Sequence, residues 1–189
     1  MSRLRIYDDQ RHDAPLLSLT DHAAIAAELH KVGVRFEQWE ASQPVAPGAS
    51  QEDVIAAYRS DIDRLMAENG YQAVDVISLT PDHPDRAAFR QKFLNEHSHS
   101  EDEVRFFVAG AGQFTLHIDG KVYEVLCEQG DLIGVPDGTT HWFDMSESPY
   151  FVAIRLFTNV EGWVAQFTGS DIAERFPRMV PHPSAGKAS

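Results

Sequence analysis

Residues 103–135 read EVRFFVAGAGQFTLHIDGKVYEVLCEQGDLIGV, short apolar alternations separated by Gly110-Ala111-Gly112, Asp119-Gly120 and Gln129-Gly130. A period of two sets one face of a strand against a core, and separators this short cannot hold the crossover that parallel pairing needs. Asp119-Gly120 is the residue pair of a two-residue hairpin turn. The spacing predicts strands over 103–109, 113–118, 121–127 and 131–135, and the pattern continues in 140–145 and 150–157 beyond Asp137-Gly138. Strands so closely joined predict a mainly β fold, an antiparallel β-barrel or jelly roll.

Upstream of residue 84 the period becomes helical. Asp21 or Thr20 caps a helix to about His30, with Ile25, Ala26 and Leu29 repeating at helical spacing before Gly33 stops it. Ser50 and Asp53 open a second helix, Gln51 to Asn69, striped by Val54, Tyr58, Ile62, Leu65 and Met66 and closed by Gly70. A short helix is expected over 84–92, and strands over 3–7, 34–39 and 71–79. These elements make one domain, 1–178, with its β core at about 93–157 and several helices mostly in the N-terminal half. The proline-rich end, 179–189, reads as a flexible tail.

The chain has 189 residues, 43% hydrophobic and 24% charged, enough apolar surface for a core without disulfides. Sixteen basic and 29 acidic side chains give 16 − 29 = −13, which argues against nucleic acid or an anionic membrane as partner. Cys127 is the sole cysteine, so neither an internal disulfide nor a thiolate metal site can form. The first residues lack the apolar stretch of a signal peptide, and no window approaches ~18 uninterrupted apolar residues. A cytoplasmic monomer is the expectation.

Chemistry concentrates just before the first β run, in NEHSHSEDEVRFFVAG, residues 95–110. In an extended chain His97, His99, Glu103 and Arg105 share one face, and Val104, Phe106 and Val108 take the other. Imidazoles and a carboxylate on one face of a barrel strand need to be satisfied, either by water outside or by a metal inside. His141, after GDLIGVPDGTTH, is the best further ligand. Three nitrogens and one oxygen suit a first-row ion such as iron(II), nickel(II) or manganese(II) and leave two octahedral positions open for a chelating substrate. Glu96 and Glu101 are neighbouring carboxylates that could replace Glu103, and Glu101 shares its parity. His12, His22, His30, His83 and His182 read as surface residues, His117 as a satisfied cross-strand histidine, and Cys127 as a small, partly buried hydrophobe.

The run His97-x-His99-x3-Glu103-x6-Gly110, followed by Gly130-x5-Pro136-x-Gly138-x2-His141, resembles the two signature motifs of the cupin superfamily, with Gln91 and Met145 departing from them outside the ligands. More widely, KFLNEHSHSEDEVRFFVAGAGQF, GDLIGVPDGTTHWFD and RLFTNVEGWVAQFTG are similar to the bacterial acireductone dioxygenases over nearly the whole chain. The resemblance implies a cupin-type barrel with His97, His99, Glu103 and His141 holding one Fe(2+) or Ni(2+). It implies a methionine-salvage enzyme that cleaves acireductone, 1,2-dihydroxy-5-(methylthio)pent-1-en-3-one, with O2. The iron form would give formate and 4-methylthio-2-oxobutanoate, and the nickel form formate, carbon monoxide and 3-methylthiopropanoate. It also implies that Phe93, Phe143 and Trp163 surround the substrate. Arg105 and Arg155 are read as an anion clamp, or else as partners in buried salt bridges. The competing expectations are another metal-dependent cupin enzyme (a thiol dioxygenase, isomerase or decarboxylase) and a non-catalytic metal- or ligand-binding cupin.

Overall fold

The computed structural model describes residues 1–158 and 164–187. Strands β1 (Arg3–Asp8) and β2 (Leu17–Leu19) precede α1 (His22–His30), β3 (Arg35–Gln38), α2 (Gln51–Ala57), α3 (Arg59–Asn69), β4 (Ala73–Leu79) and α4 (Arg86–Leu94). Then follow β5 (His97–Ser98), β6 (Glu103–Ile118), β7 (Lys121–Glu128), β8 (Asp131–Val135), β9 (Thr140–Asp144), β10 (Tyr150–Phe157), β11 (Gln166–Phe167) and α5 (Ile172–Arg175). All the strand pairings are antiparallel. No described helix is long and apolar enough to cross a membrane.

The barrel is organised by β6, which replaces the two strands expected on either side of Gly110-Ala111-Gly112. Its first half pairs with β10 and β8, and its second half with β7 and β9, so one bent strand belongs to two layers. Gly110 makes the bend possible, because its φ is +66° and an added Cβ would lie 1.8 Å from the Tyr150 carbonyl oxygen. The glycines therefore serve close approach within a strand rather than a turn. Gly110→Ala should cost roughly 3 kcal/mol or more, since left-handed strain and a backbone clash add. A urea midpoint equal to that of the wild type would refute this.

The expected hairpin is present. Asp119 and Gly120 both have positive φ, and Ile118 pairs with Lys121 across the turn. Ser50 accepts the Asp53 N–H and caps α2, and Gly70 closes α3 in the left-handed conformation. The single helix expected over Gln51–Asn69 is divided at Tyr58, whose buried ring packs on Phe106 while its hydroxyl reaches the Gln43 backbone. Tertiary packing of one aromatic outweighs a helical repeat here.

Alternation along the strands separates two cores. Phe107, Phe114, Leu116, Phe143, Phe151 and Ala153 fill the barrel. Val104, Phe106, Val108, Val152, Ile154 and Leu156 face outward and are covered by Val54 of α2, Tyr58 between the helices, and Ile62 and Leu65 of α3. A third cluster packs α5 on Trp142 and Val122. Cys127 is fully rather than partly buried. His22, read as surface, is half-buried instead: it stacks on Phe36 and bonds the buried Asp131, because α1 lies close against β3. Toward the C-terminus Met179 and Ala185 are buried, and Pro183–Lys187 form a 3-10 helix.

Candidate metal centre

One end of the barrel gathers the polar residues that the sequence sets two by two. His97 lies on β5, His99 just beyond it, Glu103 opens β6 and His141 follows the start of β9. The short β5 pairs with β9 so that His97 stands opposite His141. His97 and His99 are thus not on one continuous strand with Glu103. A bend at 100–101 intervenes, and β pairing rather than parity completes the convergence.

The ligand-type atoms of His97, His99 and His141 all lie within 4.8 Å of one another. Each ring presents Nδ1 to a backbone carbonyl: His97 to Asn95 at 2.7 Å, His99 to Val164 at 3.2 Å and His141 to Thr139 at 2.8 Å. A carbonyl only accepts, so Nδ1 carries the hydrogen and each Nε2 keeps its lone pair for the centre. Glu103 Oε2 faces Nε2 of His99 at 3.7 Å and of His141 at 3.8 Å, and this buried oxygen has no hydrogen-bond donor among the described residues. Lone pairs turned toward one another in a buried site fit a cation and little else.

Burial is the largest influence on all three imidazoles and moves them below their ordinary value, His141 down to about 3. Burial alone would raise the Glu103 carboxyl, but Arg105 and the neighbouring histidines outweigh it and hold it at about 2. The centre therefore offers neutral imidazoles and an ionised carboxylate at neutral pH. Stability should reflect this. Between the ordinary histidine value of 6.5 and about 3, the unfolded chain binds the His141 proton and the folded chain does not. Metal-free protein should thus lose stability as pH falls through that window, by ~1.4 kcal/mol per pH unit from this one group. Urea midpoints between pH 7.5 and 5.5 measure it, and a flat profile would contradict it.

Arg105 shares the face of Glu103 and is equally buried. Its Nη2 and Nε donate to Glu103 Oε1 at 2.7 and 3.2 Å. The guanidinium lies over Phe143 at 4.6 Å and Phe114 at 4.7 Å, with Phe93 at 5.8 Å, a cage that compensates part of its desolvation. Its Nη1 is buried without an acceptor among the described residues, a donor available to a guest oxygen. Arg155 is paired differently. It grips Asp75 through Nε at 2.8 Å and Nη2 at 2.6 Å, and packs on Phe93 and Phe157.

Asp75 was not singled out from sequence, although a carboxylate inside AVDVISL, opposite Arg155 in the β4–β10 register, carried the signal. Phe93 and Phe143 lie near each other, ring centres 6.3 Å apart, beside Arg105. Trp163 lies outside the described residues. Glu101 is not in the cluster and accepts the Thr158 hydroxyl. His117 sits between two carboxylates, Glu96 at 2.8 Å and Asp9 at 3.1 Å, the satisfied cross-strand residue expected.

A sequence model of the ARD/ARD′ family matches residues 3–165. The chain belongs to that family. A family member from Stenotrophomonas maltophilia (strain K279a), "Acireductone dioxygenase", is 67% identical over 181 residues, 96% of this chain and 98% of that one. One of the same name from Xylella fastidiosa (strain 9a5c) is 60% identical over 96% of both chains. Among solved structures, "Acireductone dioxygenase from Bacillus anthracis with cadmium ion in active center" matches with a TM-score of 0.78 and 32% identity, over 88% of this chain and 98% of that one. The likeness to that family member bears out the cupin-type barrel, which the curvature of β6 builds here.

Proposed function

We propose that the chain is a metal-dependent dioxygenase of methionine salvage. It would cleave acireductone with O2 at one Fe(2+) or Ni(2+) held by His97, His99, Glu103 and His141. The observation that carries this reading is the buried meeting of three tautomer-locked imidazoles with a carboxylate oxygen that has no donor among the described residues, in a chain whose relatives bear that enzyme's name. A bound divalent ion supplies Lewis-acid stabilisation of an enediolate and a place for oxygen chemistry.

The protein's own residues account for the rest. The free Nη1 of Arg105 takes an enediolate oxygen, and the positive charge of Arg105 and Arg155 favours the deprotonated substrate. Glu103 Oε1, already bonded to Arg105, is fixed so that Oε2 alone turns to the centre. Phe93 and Phe143 flank the alkylthio tail and exclude water, and Trp163 joins them on resemblance alone. The net charge of −13 supports a small-molecule partner rather than nucleic acid or membrane, in a cytoplasmic monomer.

Metal-free protein reloaded separately with iron(II) and nickel(II) tests the reading. Both forms should consume acireductone and O2. The iron form should yield formate and 4-methylthio-2-oxobutanoate, the nickel form formate, carbon monoxide and 3-methylthiopropanoate. No oxygen uptake by either form would sink the assignment, and identical products would sink its metal dependence.

A further inference from the structure

The centre is buried, so a substrate needs a way in, and among the described residues three cavities border those around it. One reaches the His97 side and is walled by Glu96, Asp171 and Glu174. A second touches Glu103 and holds Asp102, while its arginine, Arg35, is engaged by Glu37 and Glu68. Neither welcomes an anion. The third, about 210 Å³, lies between β4 and α4. Its floor is Ile77, Leu79, Phe89 and Phe93, and its charged groups are Lys92, Arg155 and Asp75, with His83 at the side. Asp75 is committed to Arg155 by two hydrogen bonds. Lys92 is exposed, its ammonium 5.5 Å from the Phe93 ring, and no carboxylate pairs with it among the described residues.

Phe93 is the wall between this cavity and the centre. Its ring meets Lys92 and Arg155 toward the cavity and Arg105 and Phe143 toward the interior. The three cations around this ring differ in exposure: Lys92 is exposed, Arg155 is 6% and Arg105 2% exposed. We propose that this cavity is the port through which a small enolate anion with an apolar tail reaches the centre, with Lys92 as the recruiting cation and Phe93 as the wall it passes. The identity of the anion rests on the dioxygenase reading above. A protein of charge −13 repels anions at long range, so capture depends on a local cation acting within about one Debye length, ~10 Å at 0.1 M salt. The apolar floor suits the alkylthio tail while the charged head moves from Lys92, past the Asp75-paired Arg155, to the Nη1 of Arg105, which has no acceptor among the described residues.

The test is the association rate of the acireductone anion with metal-loaded enzyme, followed anaerobically by stopped flow through the near-ultraviolet absorption of the conjugated enediolate. At low ionic strength Lys92→Gln should slow association about threefold and Lys92→Glu about tenfold. At about 0.5 M salt the gap should close to within about twofold, because screening removes a charge effect and not a structural one. Bound metal and kcat should match the wild type. Lys92→Cys modified with a cationic aminoethyl thiol reagent should recover the wild-type rate, and an anionic sulfonate reagent should not; buried Cys127 stays out of reach. Lys92→Glu associating at the wild-type rate at low salt would overturn the port. So would an equal loss at both ionic strengths. Wild-type enzyme that neither binds nor consumes acireductone would remove the dioxygenase reading and the port with it, whereas normal turnover with an association rate indifferent to the charge at residue 92 removes the port alone.

Discussion

Glu103→Ala should lose bound metal and oxygen consumption together, and His99→Ala should do the same. Each deletes one of four inward donors, and a site of three donors open to water binds a divalent ion far more weakly, by more than ~100-fold. The two variants should differ in stability. Glu103→Ala also leaves the Arg105 guanidinium buried without the carboxylate that takes its two hydrogen bonds, at a cost of roughly 3–5 kcal/mol. His99→Ala removes a neutral ring and its bond to the Val164 carbonyl, a loss of about 1–3 kcal/mol with some cavity formation. Elemental analysis of the purified variants, oxygen uptake and urea unfolding of the metal-free forms read these effects separately. Full turnover in either variant would remove the proposed ligand set.

Arg105→Ala should be the most damaging change outside the four donors. Removing the cation strips Glu103 Oε1 of its donors in a fully buried place. The unpaired carboxylate costs roughly 3–5 kcal/mol of stability. With the strongest influence holding it down gone, the Glu103 carboxyl rises from about 2, so metal binding must compete with a proton at higher pH. Metal affinity should fall ~10–100-fold, the usual effect of deleting a group that orients a ligand. Arg105→Lys restores charge but not the forked pair of bonds or the plane stacked on Phe143 and Phe114, so it should recover stability better than turnover. Calorimetric metal titration at pH 6 and 8 checks the affinity. Wild-type affinity in Arg105→Ala at both pH values would show that Glu103 does not depend on this partner.

The local part of this architecture was legible in the residues. Period-two patterning located the strands from 121 to 157, Asp119-Gly120 marked its hairpin, and the alternation of 103–108 separated Val104 and Phe106, outside, from Glu103 and Arg105, inside. What stayed hidden depends on register between distant segments. A carboxylate inside the apolar run AVDVISL signals that Asp75 needs a partner, but that the partner is Arg155 follows from how β4 lies on β10. The carbonyls of Asn95, Thr139 and Val164 that fix the imidazole tautomers belong to irregular backbone, whose positions no side-chain pattern encodes. The glycines at 110 and 112 mislead because a turn and a bent strand ask for the same residue. The division of the helix at Tyr58 reflects a tertiary contact with Phe106 that helical periodicity cannot register.

The central claim is that three imidazoles and one carboxylate grip a single divalent ion. X-ray absorption at the metal edge of protein reloaded with one equivalent of nickel(II) addresses it directly. The account predicts an all-nitrogen-and-oxygen shell whose outer-shell scattering counts three imidazoles, reduced to two in His141→Ala. A sulfur scatterer, or a wild-type shell with fewer than three imidazoles, would contradict it.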